Sequence, residues 1–203
     1  HEEAFRKCLT DKVSKHMEVE FAYQDMYDIP EGIKVPEGRE KPWGTTHALL
    51  ACQNIVKGPF AICNADDFYG KDAYRVIYNY LKNEISDDNY GMVGYLCNNT
   101  LTDNGTVTRG VCENTDGYLS KIVEVQKIAR KDGKPVYEDN GEWKELDPNT
   151  LVSMNFWGFT PKIFEECEVL FKDFIGEAVK ENPLNCEHVI PTAIGTLVKE
   201  NKC

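Results

Sequence analysis

The chain has 203 residues and a mass of 23.1 kDa, which predicts one domain with room for at most a small additional lobe. Asp and Glu total 34 against 23 Lys and Arg, and the net charge of −11 argues against nucleic acid or an anionic membrane as a partner. No apolar run approaches the roughly 18 residues of a transmembrane helix, and no signal peptide is visible at the start.

The eight cysteines have no metal-binding spacing, because none forms a CxxC pair and most lie in apolar runs. A zinc site assembled from such scattered thiols is the less favoured interpretation. We therefore expect buried free thiols in a reducing, cytoplasmic environment.

The first 43 residues combine a predicted helix, a strand and a long loop. The chain begins with a predicted helix that ends at about Ser14, and its first five residues have the acidic, amphipathic character of a helix interior, so we expect the chain to be a piece of a longer protein. Residues 16–23 alternate between apolar and polar side chains, which predicts a half-buried strand. Residues 28–43 contain three prolines and two glycines, which predicts a loop long enough to be functional.

Helices and buried strands then alternate as far as residue 97. A helix over about residues 45–56 has Thr45 or Thr46 as its cap, and residues 60–63 form a continuously apolar run typical of a strand buried on both faces. A second helix begins near Lys71, and residues 92–97 form the next strand. The predicted core face of the second helix contains Tyr74, Ile77, Tyr78, Leu81 and Ile85. This alternation predicts a parallel sheet covered on both faces by helices.

The middle of the chain, about residues 100–150, has the turn signals of a small antiparallel lobe. Asp-Asn-Gly sequences at residues 103–105 and 139–141 predict hairpins, and residues 118–128 predict one more extended strand. Residues 152–159 return as a strand to the core, and two helices follow, one after Pro161 and one from about Cys186. The predicted fold class is therefore α/β with a small antiparallel β insertion.

Two adjacent carboxylates follow the apolar run at residues 60–63. Residues 64–70 read Asn-Ala-Asp-Asp-Phe-Tyr-Gly, so this strand delivers Asp66 and Asp67 to the sheet edge where ligands of α/β proteins bind. Strand alternation directs only one of them into the crevice. A carboxylate there suits Mg²⁺, which takes few protein oxygens and completes its shell with water and phosphate. A polar strand end that caps the next helix explains the same pattern.

Residues 44–48, Gly-Thr-Thr-His-Ala, form a second candidate site. Gly44 before a helix N-terminus exposes backbone N–H groups and lets a flat ligand approach the main chain. His47 is a candidate ligand contact, although a histidine on a first helical turn is more often a cap or a solvated residue.

Glu124 and Lys127 form a third candidate, on the strand predicted over residues 118–128. Glu124 can accept hydrogen bonds from sugar hydroxyls, and Lys127 can contact a phosphate as a point charge. Taken alone, both are also ordinary surface residues of a strand.

In combination and in order, these segments resemble the sugar-1-phosphate nucleotidyltransferases, also called nucleoside-diphosphate-sugar pyrophosphorylases. Residues 44–48 resemble the family's Gly-Thr-x-His-Ala segment that receives the nucleobase, and residues 64–70 resemble its metal-binding Gly-Asp element. Glu124 with Lys127 resembles the Glu-Lys element that contacts sugar and phosphate, and residues 153–159 resemble the strand after it. The resemblance extends from His1 to about Leu197.

The resemblance implies a Rossmann-like nucleotidyltransferase fold, with Mg²⁺ as cofactor. It implies that an NTP and a sugar 1-phosphate react to give an NDP-sugar and pyrophosphate, and it favours a pyrimidine base by similarity to uridylyl and thymidylyl members. The residues it implies are Asp66 and Lys127 for catalysis, Asp66 or Asp67 for the metal, Gly44, Thr45, Thr46 and His47 for the nucleotide, and Glu124, Asn155 and Glu187 for the sugar, with a second metal contact as the alternative role of Glu187.

One departure from the family pattern matters most. The family begins with a strand and a Gly-rich phosphate loop, and this sequence has no counterpart to them. We therefore expect residues 1–203 to be a domain fragment that lacks its first strands, does not catalyse turnover, and self-associates through the exposed sheet edge. Pyrophosphate release by the fragment and by its parent chain tests that expectation.

Two other functions remain open from the sequence. The first is a non-catalytic module that binds a sugar phosphate, which the missing phosphate loop favours. The second is a metal-dependent glycosyltransferase that uses an NDP-sugar. That class uses an Asp-x-Asp pattern at a strand end, and Asn64 stands here in place of the first carboxylate.

Overall fold

Four helices and seven strands lie between residues 45 and 199 of the computed structural model, which describes Glu3, Arg6, Lys7 and residues 12–202. The helices are α1 (Thr45–Leu50), α2 (Lys71–Asn83), α3 (Lys162–Glu181) and α4 (Ile190–Lys199). The strands are β1 (Phe60–Ile62), β2 (Gly91–Leu96), β3 (Val107–Thr115), β4 (Tyr118–Lys131), β5 (Lys134–Asp139), β6 (Glu142–Glu145) and β7 (Leu151–Phe159). A short 3-10 helix, Cys97–Thr100, follows β2. The helix predicted before residue 14 is helical at its described positions, and its other residues lie outside the described part.

The sheet is organised around β7. Strand β2 pairs along one edge of β7, whereas β1 and β3 share the other edge. From β3 the sheet continues through β4 and β5 to β6, and every pairing between the described strands is antiparallel. The protein is therefore a mixed α/β fold with a seven-stranded, antiparallel sheet.

The prediction of a parallel sheet in the first half is wrong. Both β1 and β2 run antiparallel to β7, which lies between them, so they share a direction without being neighbours. The alternation of helices and strands predicted that β1 and β2 are parallel neighbours. Instead β7, which follows the middle segment in the sequence, lies between them. The expectation that residues 60–63 are buried on both faces is also wrong, because Ala61 is exposed.

The antiparallel strands predicted for the middle segment are present, and they continue the seven-stranded sheet of the protein. Strands β3 to β6 are joined by two-residue turns at residues 116–117, 132–133 and 140–141, each with positive φ at both positions. This is the geometry that Asp-Gly and Asn-Gly favour. The turn at residues 139–141 was predicted and the two Asp-Gly turns were not. Residues 103–105 form a bend before β3 and not a hairpin.

The largest core lies on the face of β7 covered by α3 and α4. Trp157 and Phe159 point to this face and pack with Ile163, Phe171 and Leu197. Full burial of a side chain of the size of Phe contributes about 1.5–3 kcal/mol. The opposite face of β7 packs against α2, where Phe156 joins a smaller cluster. The helices predicted after Pro161 and from about Cys186 are confirmed as α3 and α4, and residues 152–159 fall within β7.

Three further predictions for the first half are wrong. The strand predicted over residues 16–23 is absent, because none of the described strands pairs with this segment. Helix α1 ends at Leu50 instead of near residue 56, with Gly44 as its N-cap and no side-chain cap bond. Helix α2 is rotated from the predicted face: Ala73 and Ile77 are buried, whereas Tyr74 and Tyr78 are mostly exposed. The loop predicted at residues 28–43 is confirmed.

The cysteines within the described residues are free thiols. Burial raises the pKa of Cys112 to about 11 and that of Cys167 to about 12, so both are protonated and unreactive at neutral pH. Among the described helices, none combines the length and the apolar character needed to cross a membrane.

Candidate functional site

The edge of β7 that β1 and β3 share contains a gap in strand pairing. β1 pairs with residues 157–159 and β3 pairs with residues 151–153. Residues 154–156 therefore have no strand partner on that edge among the described strands. The turn after β1 and the first half of β3 border this gap, so side chains from distant parts of the sequence meet there.

A polar pocket of about 90 Å³ occupies the gap. Its polar side chains come from the turn after β1 and from strands β3, β4 and β7: Asn64, Asp67, Thr108, Arg109, Glu124, Ser153 and Asn155. The volume is below the roughly 300 Å³ at which typical ligand pockets begin. The pocket therefore accommodates a phosphate, a hydrated cation or part of a sugar, and not a whole nucleotide.

The turn after β1 is held in place by Tyr69. The backbone N–H of Asn64 donates to the Tyr69 hydroxyl at 2.9 Å, and this hydroxyl donates to the Met154 carbonyl on β7 at 2.8 Å. Burial raises the pKa of Tyr69 to about 12, so the hydroxyl stays protonated at neutral pH. The Asn64 amide in turn donates to Oδ2 of Asp67 at 2.8 Å, which fixes this carboxylate at the pocket.

The two adjacent carboxylates have different environments. Asp67 is half-buried and lines the pocket, whereas Asp66 is exposed and does not line it. The expectation that only one of the two points into the crevice is therefore met, and the residue is Asp67.

Asn155 lies at the centre of the gap with an unusual backbone conformation. Its φ of 59° is left-handed, a region that Asn tolerates better than most residues. Its side-chain Oδ1 is buried and has no hydrogen-bond partner. A buried acceptor without a partner costs about 1–3 kcal/mol, so a ligand that donates a hydrogen bond here would recover that free energy.

Arg109 is a pocket residue that the sequence did not indicate. Its two terminal nitrogens donate to the carbonyls of Thr108 and Thr100, at 3.0 and 2.9 Å, and its Nε is buried without a partner. Arg109 supplies the cation that lines the pocket, and guanidinium groups suit phosphate. A lone Arg in a strand carries no local signal, because only the pairing of β3 with β7 brings it to the gap.

Residues 44–47 do not line the pocket: Gly44, Thr46 and His47 are buried in the protein, and Thr45 is exposed elsewhere on the surface. A Cβ on Gly44 would lie 2.4 Å from the carbonyl oxygen of His188, so the main chain of His188 fills the space where a flat ligand was expected. Backbone hydrogen bonds fix this contact: His188 N–H donates to the Trp43 carbonyl at 2.9 Å, and Thr46 N–H donates to the His188 carbonyl at 3.1 Å.

The two threonines of this segment differ in exposure, because Thr45 is exposed and Thr46 is buried. The Thr45 hydroxyl accepts a hydrogen bond from the Ile190 N–H at 3.0 Å, so it caps α4 instead of its own helix. Thr46 is fully buried, and its hydroxyl has no hydrogen-bond partner.

His47 is a buried core residue. Its ring stacks on Phe171 at 5.0 Å, its Nε2 lies 2.7 Å from the Asp28 carbonyl and its Nδ1 lies 3.3 Å from the Gln24 amide nitrogen. Because a carbonyl only accepts, Nε2 donates and Nδ1 accepts. Both ring nitrogens are thus engaged by the loop before α1.

Lys127 and Glu187 also lie outside the pocket lining. Lys127 occupies a β-bulge in β4 with φ of 53°, and its ammonium contacts Glu138 on β5 at 2.8 Å. Glu187 contacts Lys41 at 2.5 Å, which ties the long loop to the segment before α4. The structure thus brings together Asp67, Glu124 and Asn155 among the predicted site residues.

The pocket contains the oxygen donors that Mg²⁺ prefers, but its side chains do not form a complete set of ligands around one point. Within the described residues, no group of three or more His, Cys, Asp or Glu side chains is arranged to hold a metal. Asp67 and Glu124 nevertheless supply two carboxylates, and Asn155 supplies an unpartnered amide oxygen. Mg²⁺ usually takes one or two protein carboxylates and completes its shell with water and phosphate.

Comparison of the chain with protein-family models and with curated proteins gave no match to either. The resemblance to the nucleotidyltransferases therefore rests on the motifs alone. A functional assignment depends on the chemistry of the pocket.

Proposed function

We propose that this chain is the sugar-phosphate-binding part of a nucleotidyltransferase that transfers a nucleotidyl group from an NTP to a sugar 1-phosphate. One observation carries the proposal. Asp67, Glu124 and Asn155 come from three segments far apart in the sequence, each singled out for a ligand role, and they line one polar pocket.

The residues of the pocket divide the recognition of a sugar 1-phosphate between them. Glu124 accepts hydrogen bonds from sugar hydroxyls, and the unpartnered Oδ1 of Asn155 accepts another. The Nε of Arg109, also unpartnered, donates to the phosphate. We assign the phosphate contact to Arg109 instead of Lys127, because Lys127 is paired with Glu138.

In the reaction, a phosphate oxygen of the sugar 1-phosphate attacks the α-phosphorus of the NTP, and the bond to the bridging oxygen of pyrophosphate breaks. Catalysis of this displacement needs alignment of two anions more than acid–base chemistry. Mg²⁺ at Asp67 would neutralise phosphate charge. The part of this chain is to hold the sugar phosphate by Arg109 and Asn155, with the turn fixed by Tyr69.

A non-catalytic sugar-phosphate-binding module is the second candidate, and the burial of Gly44 favours it. A nucleobase has no access to the main chain of Gly44 while His188 occupies that space. A metal-dependent glycosyltransferase is a weaker third candidate, since Asp66 is exposed and outside the pocket.

Binding and turnover are measured separately to test the proposal. Titration with glucose 1-phosphate and Mg²⁺, followed by calorimetry, tests the pocket. Pyrophosphate release from UTP, dTTP, ATP and GTP tests catalysis, in this chain and in the natural protein that carries it. Binding with turnover supports the nucleotidyltransferase. Binding without turnover, both in this chain and in the natural protein, supports the non-catalytic module. Metal-dependent binding of UDP-glucose alone would support the glycosyltransferase.

Matched variants connect the binding to the pocket. Asn155→Gly removes the unpartnered oxygen and tolerates positive φ, and we expect affinity for the sugar phosphate to fall about tenfold. Asn140→Gly is the control, because Asn140 also has positive φ but lies in the β5–β6 turn. Asp67→Asn is expected to weaken the effect of Mg²⁺, with Asp132→Asn in the β4–β5 turn as its control. Equal affinity of wild type and Asn155→Gly would contradict the assignment.

A further inference from the structure

A second and larger cavity, of about 540 Å³, lies along the outer edge of β2. It shares no lining residue with the polar pocket. Strand β2 pairs only with β7 among the described strands, so its other edge is open, and Met92 and Gly94 of this strand line the cleft. Helix α2 forms one wall, and α4 together with the turn between β3 and β4 forms the other. The volume lies within the range of roughly 300–1,000 Å³ that is usual for sites of small organic molecules.

The lining of the cleft is apolar and aromatic, with acidic residues as its only charged groups. Tyr80, Met92, Leu119 and Ile194 are among its apolar side chains, and Tyr118 is 70% exposed at its border. Glu84 and Asp116 line it, whereas no Lys, Arg or His does so among the described residues. Such a lining opposes phosphates and carboxylates and attracts an organic cation. The exposed ring of Tyr118 adds a face for a cation–π contact.

One buried polar group in the lining lacks a partner. Trp157 of β7 is 2% exposed, and its indole N–H has no hydrogen-bond acceptor. Buried indole N–H groups normally find an acceptor, because leaving one unpaired is unfavourable. The two other tryptophans differ from Trp157: the Trp43 N–H donates to the Met26 carbonyl at 2.8 Å, and Trp143 is 40% exposed.

We propose that this cleft is a second ligand site, specific for a flat aromatic amine whose ring carries a hydrogen-bond acceptor. The ring lies between the apolar walls and its acceptor meets the Trp157 N–H. The ammonium group faces Glu84 and Asp116. The site is independent of the polar pocket, so it stands whether or not this chain binds sugar phosphates.

The test observes the tryptophan N–H groups directly. The chain is labelled with ¹⁵N-tryptophan, which gives one indole signal for each of its three tryptophans, and Trp157→Phe identifies the Trp157 signal. Titration with 4-(aminomethyl)quinoline is expected to shift the Trp157 signal in a saturable way, and to leave the Trp43 and Trp143 signals unchanged. Unfolding temperatures of all variants confirm that they fold.

Two matched compounds separate the parts of the proposal. 1-(Aminomethyl)naphthalene keeps the shape and the ammonium but lacks the ring acceptor, and we expect it to bind about fivefold more weakly. Quinoline-4-carboxylate keeps the acceptor and reverses the charge, and we expect at least about tenfold weaker binding. In Trp157→Phe the difference between the quinoline and the naphthalene amine is expected to disappear.

Variants of the walls provide the controls. Val198→Arg places a cation in the cleft and is expected to abolish binding, whereas Val169→Arg on the exposed face of α3 leaves it unchanged. The double variant Glu84→Gln, Asp116→Asn is expected to bind the amine about fivefold more weakly at low salt. The control double variant, Glu113→Gln with Asp132→Asn, is expected to bind it with unchanged affinity.

Several results would overturn the proposal. These are an unshifted Trp157 signal, equal affinity for the carboxylate, or unchanged affinity in Val198→Arg. Concentration-dependent dimerisation that protects the Met92 and Gly94 amides, without binding of the amine, would also overturn it. The cleft would then be an interface between two copies of the chain.

Discussion

Residues 44–48 and residues 64–70 offer the same local signal and have opposite environments. Gly44 and Gly70 are both N-caps with positive φ, of 96° and 78°, each at the start of a helix. A Cβ on Gly44 would collide with the His188 main chain, whereas a Cβ on Gly70 would have no atom within 4 Å. A glycine before a helix therefore indicates a backbone conformation with positive φ, whereas the rest of the chain decides whether a ligand or protein occupies the space beside it.

The largest expected effect tests whether the His188 main chain covers Gly44. Gly44→Ala introduces both backbone strain and a collision with His188, and we expect it to reduce the free energy of unfolding by about 3–5 kcal/mol. Gly70→Ala introduces only the strain and is expected to cost about 1–2 kcal/mol. Urea unfolding measures both. Equal costs would mean that the contact between Gly44 and His188 does not exist in solution.

The next effect concerns Arg39, which holds the loop before Gly44 against the segment before α4. Its buried guanidinium donates to the carbonyls of Pro183, Pro42 and Cys186, at 2.8, 3.1 and 2.6 Å, and stacks on Trp43. Arg39→Met leaves three carbonyls unpaired and is expected to cost about 3 kcal/mol.

Arg75→Met is the matched control for Arg39→Met, because Arg75 forms only an exposed pair with Asp72. We expect the control to cost less than about 0.5 kcal/mol in the same urea experiment. A cost for Arg39→Met as small as that of the control would show that the long loop is not anchored as described.

The third effect is a dependence on pH that originates beside Gly44. Burial lowers the pKa of His188 from 6.5 to about 4, so the unfolded chain binds a proton in a range where the folded protein does not. This contribution to stability is complete above pH 6.5 and is lost as the pH falls towards 4. Between pH 6.5 and 5 the loss from His188 is about 2 kcal/mol.

Thermal unfolding between about pH 7.5 and pH 5 measures this loss. The range begins above and ends below the pKa of roughly 6.5 that His has in an unfolded chain. His188→Phe keeps the stacking on Phe174, which is at 4.8 Å, and should make the pH profile flatter. The exposed His16, replaced by Gln, serves as the control and should leave the profile unchanged. A wild-type slope retained in His188→Phe would assign the pH dependence to other groups.

The smallest expected effects are changes in stability of opposite sign at two neighbouring threonines. Thr46→Val removes a buried hydroxyl that has no partner and is expected to stabilise the protein by about 1 kcal/mol. Thr45→Val removes the acceptor of the Ile190 N–H and is expected to destabilise it by about 1 kcal/mol. If Thr46 instead faced a nucleotide site, its replacement would leave stability unchanged.

The sequence predicted the elements better than their arrangement. Local signals located β2, β4, β7, α3 and α4, because periodicity and turn residues act over a few positions. Strand order was wrong, since the position of β7 between β1 and β2 depends on contacts between residues that are far apart in the sequence, such as Phe60 with Phe159 and Leu96 with Leu151. The rotation of α2 was wrong for the same reason, because the face that it buries is set by β7.

For the candidate site, the sequence supplied the chemistry and the fold selected the residues. Carboxylates after a strand and a polar residue in β7 were visible as patterns, and the gap in the pairing of β7 brings Asp67, Glu124 and Asn155 into one pocket. Arg109 was invisible because nothing local distinguishes it. His47 and Thr46 were misplaced because their neighbours in space, Phe171 and the His188 main chain, are more than 120 residues away in the sequence.

Composition, turn residues and apolar periodicity by themselves determined an acidic α/β protein with an antiparallel lobe and a set of polar strand ends. Tertiary structure alone decided which glycine is covered, which carboxylate of the pair is turned inward and which cation accompanies it. The physical reason is that backbone conformation is set by adjacent residues, whereas solvent access and hydrogen-bond partners are set by whichever distant segment occupies the space.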